Sequence, residues 1–278
     1  MESSPGVRVH PLMTARMKAM PAFYERPSGP KPLALARGFG LHVPRSRWTW
    51  LPIPAFLVEH PSAGPILIDT GLHELVATDV GAALGRLGKI AFTIDMRPEW
   101  SVPQQLRERG VDPASIETIV MTHLHYDHAS GLSQFPQATV SVDAREHAAA
   151  SKGRMLEGFI PRLLQTPGQR WTLLDPADDD IDLLGDGTIR LLSTPGHTPG
   201  HRSVALRLES GGDLLLTGDA AYALRTITGD LTPLLTWDDD AYRASLARVR
   251  DWTRAHPGAP VIPGHDQDTW ATLDAVYS

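Results

Sequence analysis

The chain has 278 residues, 42% of them hydrophobic and 21% charged, which suits one large α/β domain with a sizeable core. Its net charge of -6, with no block of Lys and Arg, gives nucleic acid or an anionic membrane nothing to bind. Cysteine is absent, which excludes disulfides, thiolate ligands and a cysteine nucleophile, so any metal must be held by His, Asp or Glu.

The stretch Met1-Glu2-Ser3-Ser4-Pro5-Gly6 lacks the basic start and apolar core of a signal peptide. No apolar run approaches the roughly 20 residues of a membrane helix, so a cytoplasmic location is expected. Residues 1 to about 50 are rich in Pro, Gly and Arg, with isolated aromatics (Phe23, Tyr24, Phe39, Trp48, Trp50). Their poor periodicity predicts mostly loop with short strands, and Trp48 and Trp50 are expected in the core. From Pro54 the pattern sharpens. Ala55 to Val58 and Pro65 to Ile68 are apolar runs flanking a turn, a hairpin signature, and the second ends in Asp69-Thr70-Gly71. Residues 72 to 98 are ambiguous. Ser101 and Gly110 bracket a predicted helix. Thr118 to Thr122 reads as a buried strand, Ala138 to Val142 as a short one, and Asp143 to Ser151 as a helix.

Thr188 to Leu192 is another strand, running into Thr194-Pro195-Gly196-His197. Ser203 to Leu208 pairs with Leu214 to Leu216 across Gly211-Gly212. A last helix begins near Asp239 or Asp240, with Tyr242, Leu246 and Val249 on its buried face. Pro260-Val261-Ile262 then leads into Gly264-His265. Strands and helices interleave without a Ser/Gly-rich linker, so a single domain over residues 1–278 is expected. Ile66 to Gly71 and Leu214 to Asp219 look alike, as in a sandwich of two related halves.

The chemistry concentrates in Thr122-His123-Leu124-His125-Tyr126-Asp127-His128. Four metal-competent side chains lie within six residues, directly after a buried strand. On extended backbone, alternation puts His123, His125 and Asp127 on one side, and a turn would aim His128 at a neighbouring point. One metal then takes His123 and His125, and a second takes Asp127 and His128. Imidazole and carboxylate suit borderline divalent ions, zinc by default, with iron, cobalt and manganese as alternatives. His197, His201, Asp219 and His265 each stand just beyond a strand, as expected if one rim carries the site.

These segments, in this order over roughly residues 52 to 268, resemble the metallo-β-lactamase superfamily. The resemblance implies an αββα sandwich with a two-metal site. His123, His125 and His197 would hold one metal, Asp127, His128 and His265 the other, and Asp219 would bridge them. Asp69 would support the ligands from behind, while His201 matches a histidine that is not usually a ligand. Within the superfamily, Gly218-Asp219-Ala220-Ala221-Tyr222 resembles the N-acyl-homoserine lactonases, in which a tyrosine three residues after the bridging aspartate contacts the lactone. That implies ring opening by a metal-bridging hydroxide, with Tyr222 stabilising the oxyanion and Asp127 shuttling the proton. An acyl lactone or related ester is the expected substrate, in a pocket shaped by the N-terminal fifty residues and residues 72 to 100, for a monomer or homodimer without nucleic-acid or membrane partners. Hydrolysis of another ester, a thioester or a phosphotriester is the alternative, ahead of a non-enzymatic metal-binding role or a mononuclear oxygenase.

Overall fold

The computed structural model describes residues 6–38 and 43–278; residues 1–5 and Phe39 lie outside them. Two sheets form the centre. The first has the order β4-β1-β2-β3-β5-β6-β7. Its strands are β1 (Arg8–Ala19), β2 (Thr49–His60), β3 (Gly64–Ile68), β4 (Ile94–Asp95), β5 (Thr118–Val120), β6 (Thr139–Asp143) and β7 (Arg170–Leu174). The second has the order β12-β11-β10-β9-β8, from β8 (Asp180–Asp182), β9 (Ile189–Ser193), β10 (Arg202–Arg207), β11 (Asp213–Gly218) and β12 (Val261–Pro263). The helices are α1 (Lys31–Gly38), α2 (Val80–Ala91), α3 (Val102–Glu108), α4 (Tyr126–Ala129), α5 (Ala144–Lys152), α6 (Leu224–Gly229), α7 (Asp239–Ala255) and α8 (Gln267–Trp270).

Strand alternation sorts the apolar side chains into layers. Phe56, Val58, Ile66 and Ile68 point between the sheets, where they meet Ile189, Leu191, Val204, Leu214 and Leu216. Leu57 and Leu67 point the other way and pack with Val102 and Leu106 of α3 and Ala150 of α5. Leu192 and Leu215 face Tyr242, Leu246 and Val249 of α7. The result is helix, sheet, sheet, helix. It meets the expected αββα class, including the three residues named for the buried face of the last helix.

Departures from expectation lie mainly in the first hundred residues. The N-terminal segment is not mostly loop: β1 is 12 residues long and pairs antiparallel with β2 along its whole length. A register shift between Met13 and Ala15 moves the buried side chains from one parity to the other, which hides the strand's period from the sequence. Trp48 and Trp50 are half-buried rather than core, and Trp50 lies beneath the cationic ends of Arg16 and Lys18. The ambiguous stretch contains α2, broken at Gly85, where φ is 84°. Ser101 does precede α3, but its hydroxyl donates back to the Pro98 carbonyl and caps nothing.

The likeness of Ile66–Gly71 to Leu214–Asp219 has a counterpart in space. Each strand, β3 and β11, is flanked by one antiparallel and one parallel neighbour in its own sheet.

Candidate metal centre

The parallel pairings β3·β5, β5·β6 and β11·β12 bring the C-terminal ends of those strands to one rim, and β9 runs the same way as β11. The loops after β5, β9, β11 and β12 therefore converge, carrying His123 to His128, His197, Asp219 and His265. The coordinating atoms of His123, His125, His197 and Asp219 lie within 4.8 Å of one another, as do those of Asp127, His128 and His265. All seven side chains named from the sequence meet here.

Asp219 stands between the two groups. Its Oδ2 faces His197 Nε2 at 3.1 Å and His123 Nε2 at 3.6 Å, while its Oδ1 faces His265 Nε2 at 3.2 Å and His128 Nε2 at 3.4 Å. Asp127 Oδ2 lies 3.6 Å from His265 Nε2. One expectation is corrected. Strand alternation does not carry Asp127 to the side of His123 and His125, because β5 ends at Val120 and Asp127 belongs to α4. The helical turn moves it to the second group, beside His128.

The rear nitrogens are engaged, which fixes what the front ones offer. His128 Nδ1 donates to Asp69 Oδ2 at 2.7 Å, and His265 Nδ1 donates to the Pro52 carbonyl at 2.8 Å. Asp69 also accepts from the Thr122 amide and hydroxyl, so one carboxylate holds both His128 and the start of the histidine loop. His201 is occupied on both sides. Ser203 must donate to the Thr217 carbonyl, so Thr194 donates to Ser203 and His201 Nδ1 donates to Thr194. His201 Nε2 is left to accept the Asp219 amide. It thus fixes the backbone of Asp219 without facing either group.

A pair of cations fits these donors. Nε2 of His123, His128 and His265 and Oδ1 of Asp219 are buried with no hydrogen-bond partner, a state that costs free energy unless something charged or polar sits among them. His197 Nε2 and His125 Nδ1 lie only 2.9 Å apart, which two bare lone pairs tolerate only by sharing a cation or a proton. Burial, helped by neighbouring rings, holds His123 and His125 well below the ordinary histidine range, as neutral ligands require. Burial also works against charging His128, yet Asp219 and Asp69 outweigh it and push its pKa well up; Asp219 and Asp127 likewise outweigh burial at His265 and leave its pKa raised. The buried carboxylates therefore call for positive charge at this spot.

Three residues beyond the seven complete the site, two of them in the N-terminal segment expected to shape the pocket. Phe23 stacks on Tyr222 with centroids 4.4 Å apart and meets His265 edge-on, while the Tyr24 hydroxyl donates to the His265 carbonyl at 2.8 Å. The segment after β1 is thus part of the site wall. Glu146, fully buried on α5, accepts from the amides of Leu124 and Gly200. It follows the end of β6 by three residues, and β6 runs parallel to β5, so its place on the rim was the signal available.

A four-layer sandwich with a buried His/Asp centre shaped for two divalent cations at one rim is the class of protein that this fold and site define. The family model described as the metallo-beta-lactamase superfamily matches residues 48–265, and the chain belongs to that superfamily. Among curated relatives, the N-acyl homoserine lactonase AttM of Azorhizobium caulinodans is 36% identical over 235 residues, covering 80% of this chain and 85% of that protein. The AttM protein of Agrobacterium fabrum is 37% identical over 227 residues, with the same coverage. A solved N-acyl homoserine lactone hydrolase with N-hexanoyl-L-homoserine at its metal centre superposes with a TM-score of 0.78 over 96% of both chains, at 23% identity.

Proposed function

We propose that the protein, as one metallo-β-lactamase-fold domain over residues 1–278, opens the lactone ring of N-acyl-homoserine lactones, with His123, His125, Asp127, His128, His197, Asp219 and His265 as ligands of two zinc ions. The observation that carries this reading is Tyr222, three residues past Asp219, with its hydroxyl 3.1 Å from His197 Nδ1. The lactonase relatives and the chain's coverage of them support the substrate class. The bound cations would supply an activated water and polarise the substrate carbonyl.

The chain's own groups complete the reaction. With His197 Nε2 turned to the cation, its Nδ1 carries the proton and donates to the Tyr222 oxygen. The phenolic hydrogen is then free to donate to the oxyanion that develops on the lactone carbonyl. Burial, with the Asp219 charge behind it, pushes the Tyr222 phenol well above 10, so it stays protonated as a donor. The Asp127 carboxylate, on the His265 side, takes the proton of the attacking water and delivers it to the departing ring oxygen. The product is an acyl-homoserine with a free carboxylate.

The test is a panel of acyl-homoserine lactones, acyl-glutathione thioesters and aryl phosphotriesters, run on protein of measured metal content. Lactone opening should dominate and disappear on chelation. Faster turnover of a thioester or phosphotriester would replace the substrate assignment, and full activity after thorough demetallation would end the reading.

A further inference from the structure

A carboxylate lies behind each metal group. Asp69 braces His128 in the second group. Glu146 lies behind the first. Its Oε1 accepts from the amide of Leu124, the residue between His123 and His125, at 2.9 Å. Its Oε2 accepts from the amide of Gly200, three residues past His197, at 3.0 Å. The two oxygens of one carboxylate therefore tie the two loops that supply the first group's histidines. The fit behind it is tight: a Cβ on Gly200 would stand 2.5 Å from the Glu146 backbone nitrogen, so the His197 loop lies directly against the first turn of α5. Glu146 is 0% exposed, and no hydrogen bond from it reaches the second group among the described residues.

We propose that Glu146 is a positioning residue for one metal only, setting the separation of the His123–His125 segment from His197 and thereby the affinity of the first site. The proposal rests on the ligand assignment above. A carboxylate can accept from both amides at once, whereas a glutamine has one acceptor and must turn its NH₂ toward the other N–H. Glu146→Gln keeps the volume but breaks one arm of the tie. Glu146→Asp keeps the charge but is one methylene too short to span both amides.

The experiment titrates demetallated wild type, Glu146→Gln and Glu146→Asp with Co²⁺ against a competing chelator, following the visible absorption of the bound ion. Far-ultraviolet circular dichroism verifies the fold of each sample. Wild type should take two Co²⁺ per chain. Glu146→Gln should bind one with wild-type affinity and the other about 10- to 100-fold more weakly, the usual scale for losing a ligand's supporting contact. Glu146→Asp should fall between them. The spectrum of singly loaded Glu146→Gln should match that of His125→Ala and differ from that of His128→Ala. Two sites of wild-type affinity in the folded variants, or equal weakening of both, would overturn the proposal. A wild-type chain that takes fewer than two ions would instead sink the ligand assignment, and the tie with it.

Discussion

A histidine becomes a metal ligand when its second nitrogen is spoken for, and the residues behind this centre do that work. Asp69 is the sharpest case. It sits at a φ of 57°, a conformation rare for residues other than glycine, and from there reaches the amide and hydroxyl of Thr122 and Nδ1 of His128. Asparagine tolerates the same backbone, so Asp69→Asn isolates the charge. It should fold normally and weaken the second metal about 10- to 100-fold, measured by chelator competition, with a smaller loss at the first, whose histidine loop Asp69 reaches only through Thr122. Tyr222→Phe tests a different contact. At saturating metal its kcat for lactone opening should fall about 10²-fold, the scale for losing one oxyanion donor. Unchanged kcat would mean that the hydroxyl only braces His197. The seven clustered residues were legible because they lie in segments that follow recognisable apolar strands. Glu146 was not: a charged residue inside a helix reads as its solvent face, and only the parallel placement of β6 turns it inward.

At the scale of elements, the strand ends are shaped to bring backbone against backbone. Gly218, the last residue of β11, has a φ of 51°, and a Cβ there would stand 2.7 Å from His201 Nε2. Gly218→Ala should therefore cost about 2 kcal/mol or more, from a strained backbone and loss of the hydrogen bond from the Asp219 amide to His201. Chemical denaturation would measure the cost, and metal titration should report loss at both sites, since Asp219 faces both groups. The opposite rim is closed by His60. Its Nδ1 accepts from the amides of Ser62 and Ala63, so Nε2 donates to Asp186 at 2.9 Å, linking the turn after β2 to the turn before β9. Burial pushes the Asp186 carboxyl up, but bonds from Thr188 and the charge of His60 outweigh it and leave the pKa lowered. A lowered carboxylate stabilises the fold above its unfolded pKa, near 4, and loses that contribution as pH falls through the folded value. Asp186→Asn should flatten the acid limb of a plot of melting temperature against pH. Most of these strands are visible in the sequence as short aliphatic runs. The short β4, β7 and β8 are not, because they are edge strands with few aliphatic residues, and β1 is not, because its register shift splits one alternating pattern into two half-patterns too short to register.

Across the whole molecule, the same centre joins what the core alone leaves separate. His123 to His128 follow a strand of the first sheet, whereas His197, Asp219 and His265 follow strands of the second. Between the sheets the contact is apolar and spread over many residues; at the rim it is seven polar side chains, four of which present a buried atom without a hydrogen-bond partner. A cation that binds the folded chain and not the unfolded one stabilises it by mass action, about 2.7 kcal/mol for each site when free metal exceeds its Kd a hundredfold. Two such sites give roughly 5 kcal/mol, which for a chain of this size is on the order of 10–20 °C in melting temperature. Calorimetry with and without chelator should show a drop of that order, and restoring Zn²⁺ should reverse it. Because Asp219 lends one oxygen to each group, the two ions should also stabilise as a unit. Asp219→Ala ought to abolish nearly the whole metal-dependent increment, whereas His125→Ala should remove only about half. An Asp219→Ala protein whose melting temperature still rises with metal as far as wild type would show that the sheets are pinned elsewhere.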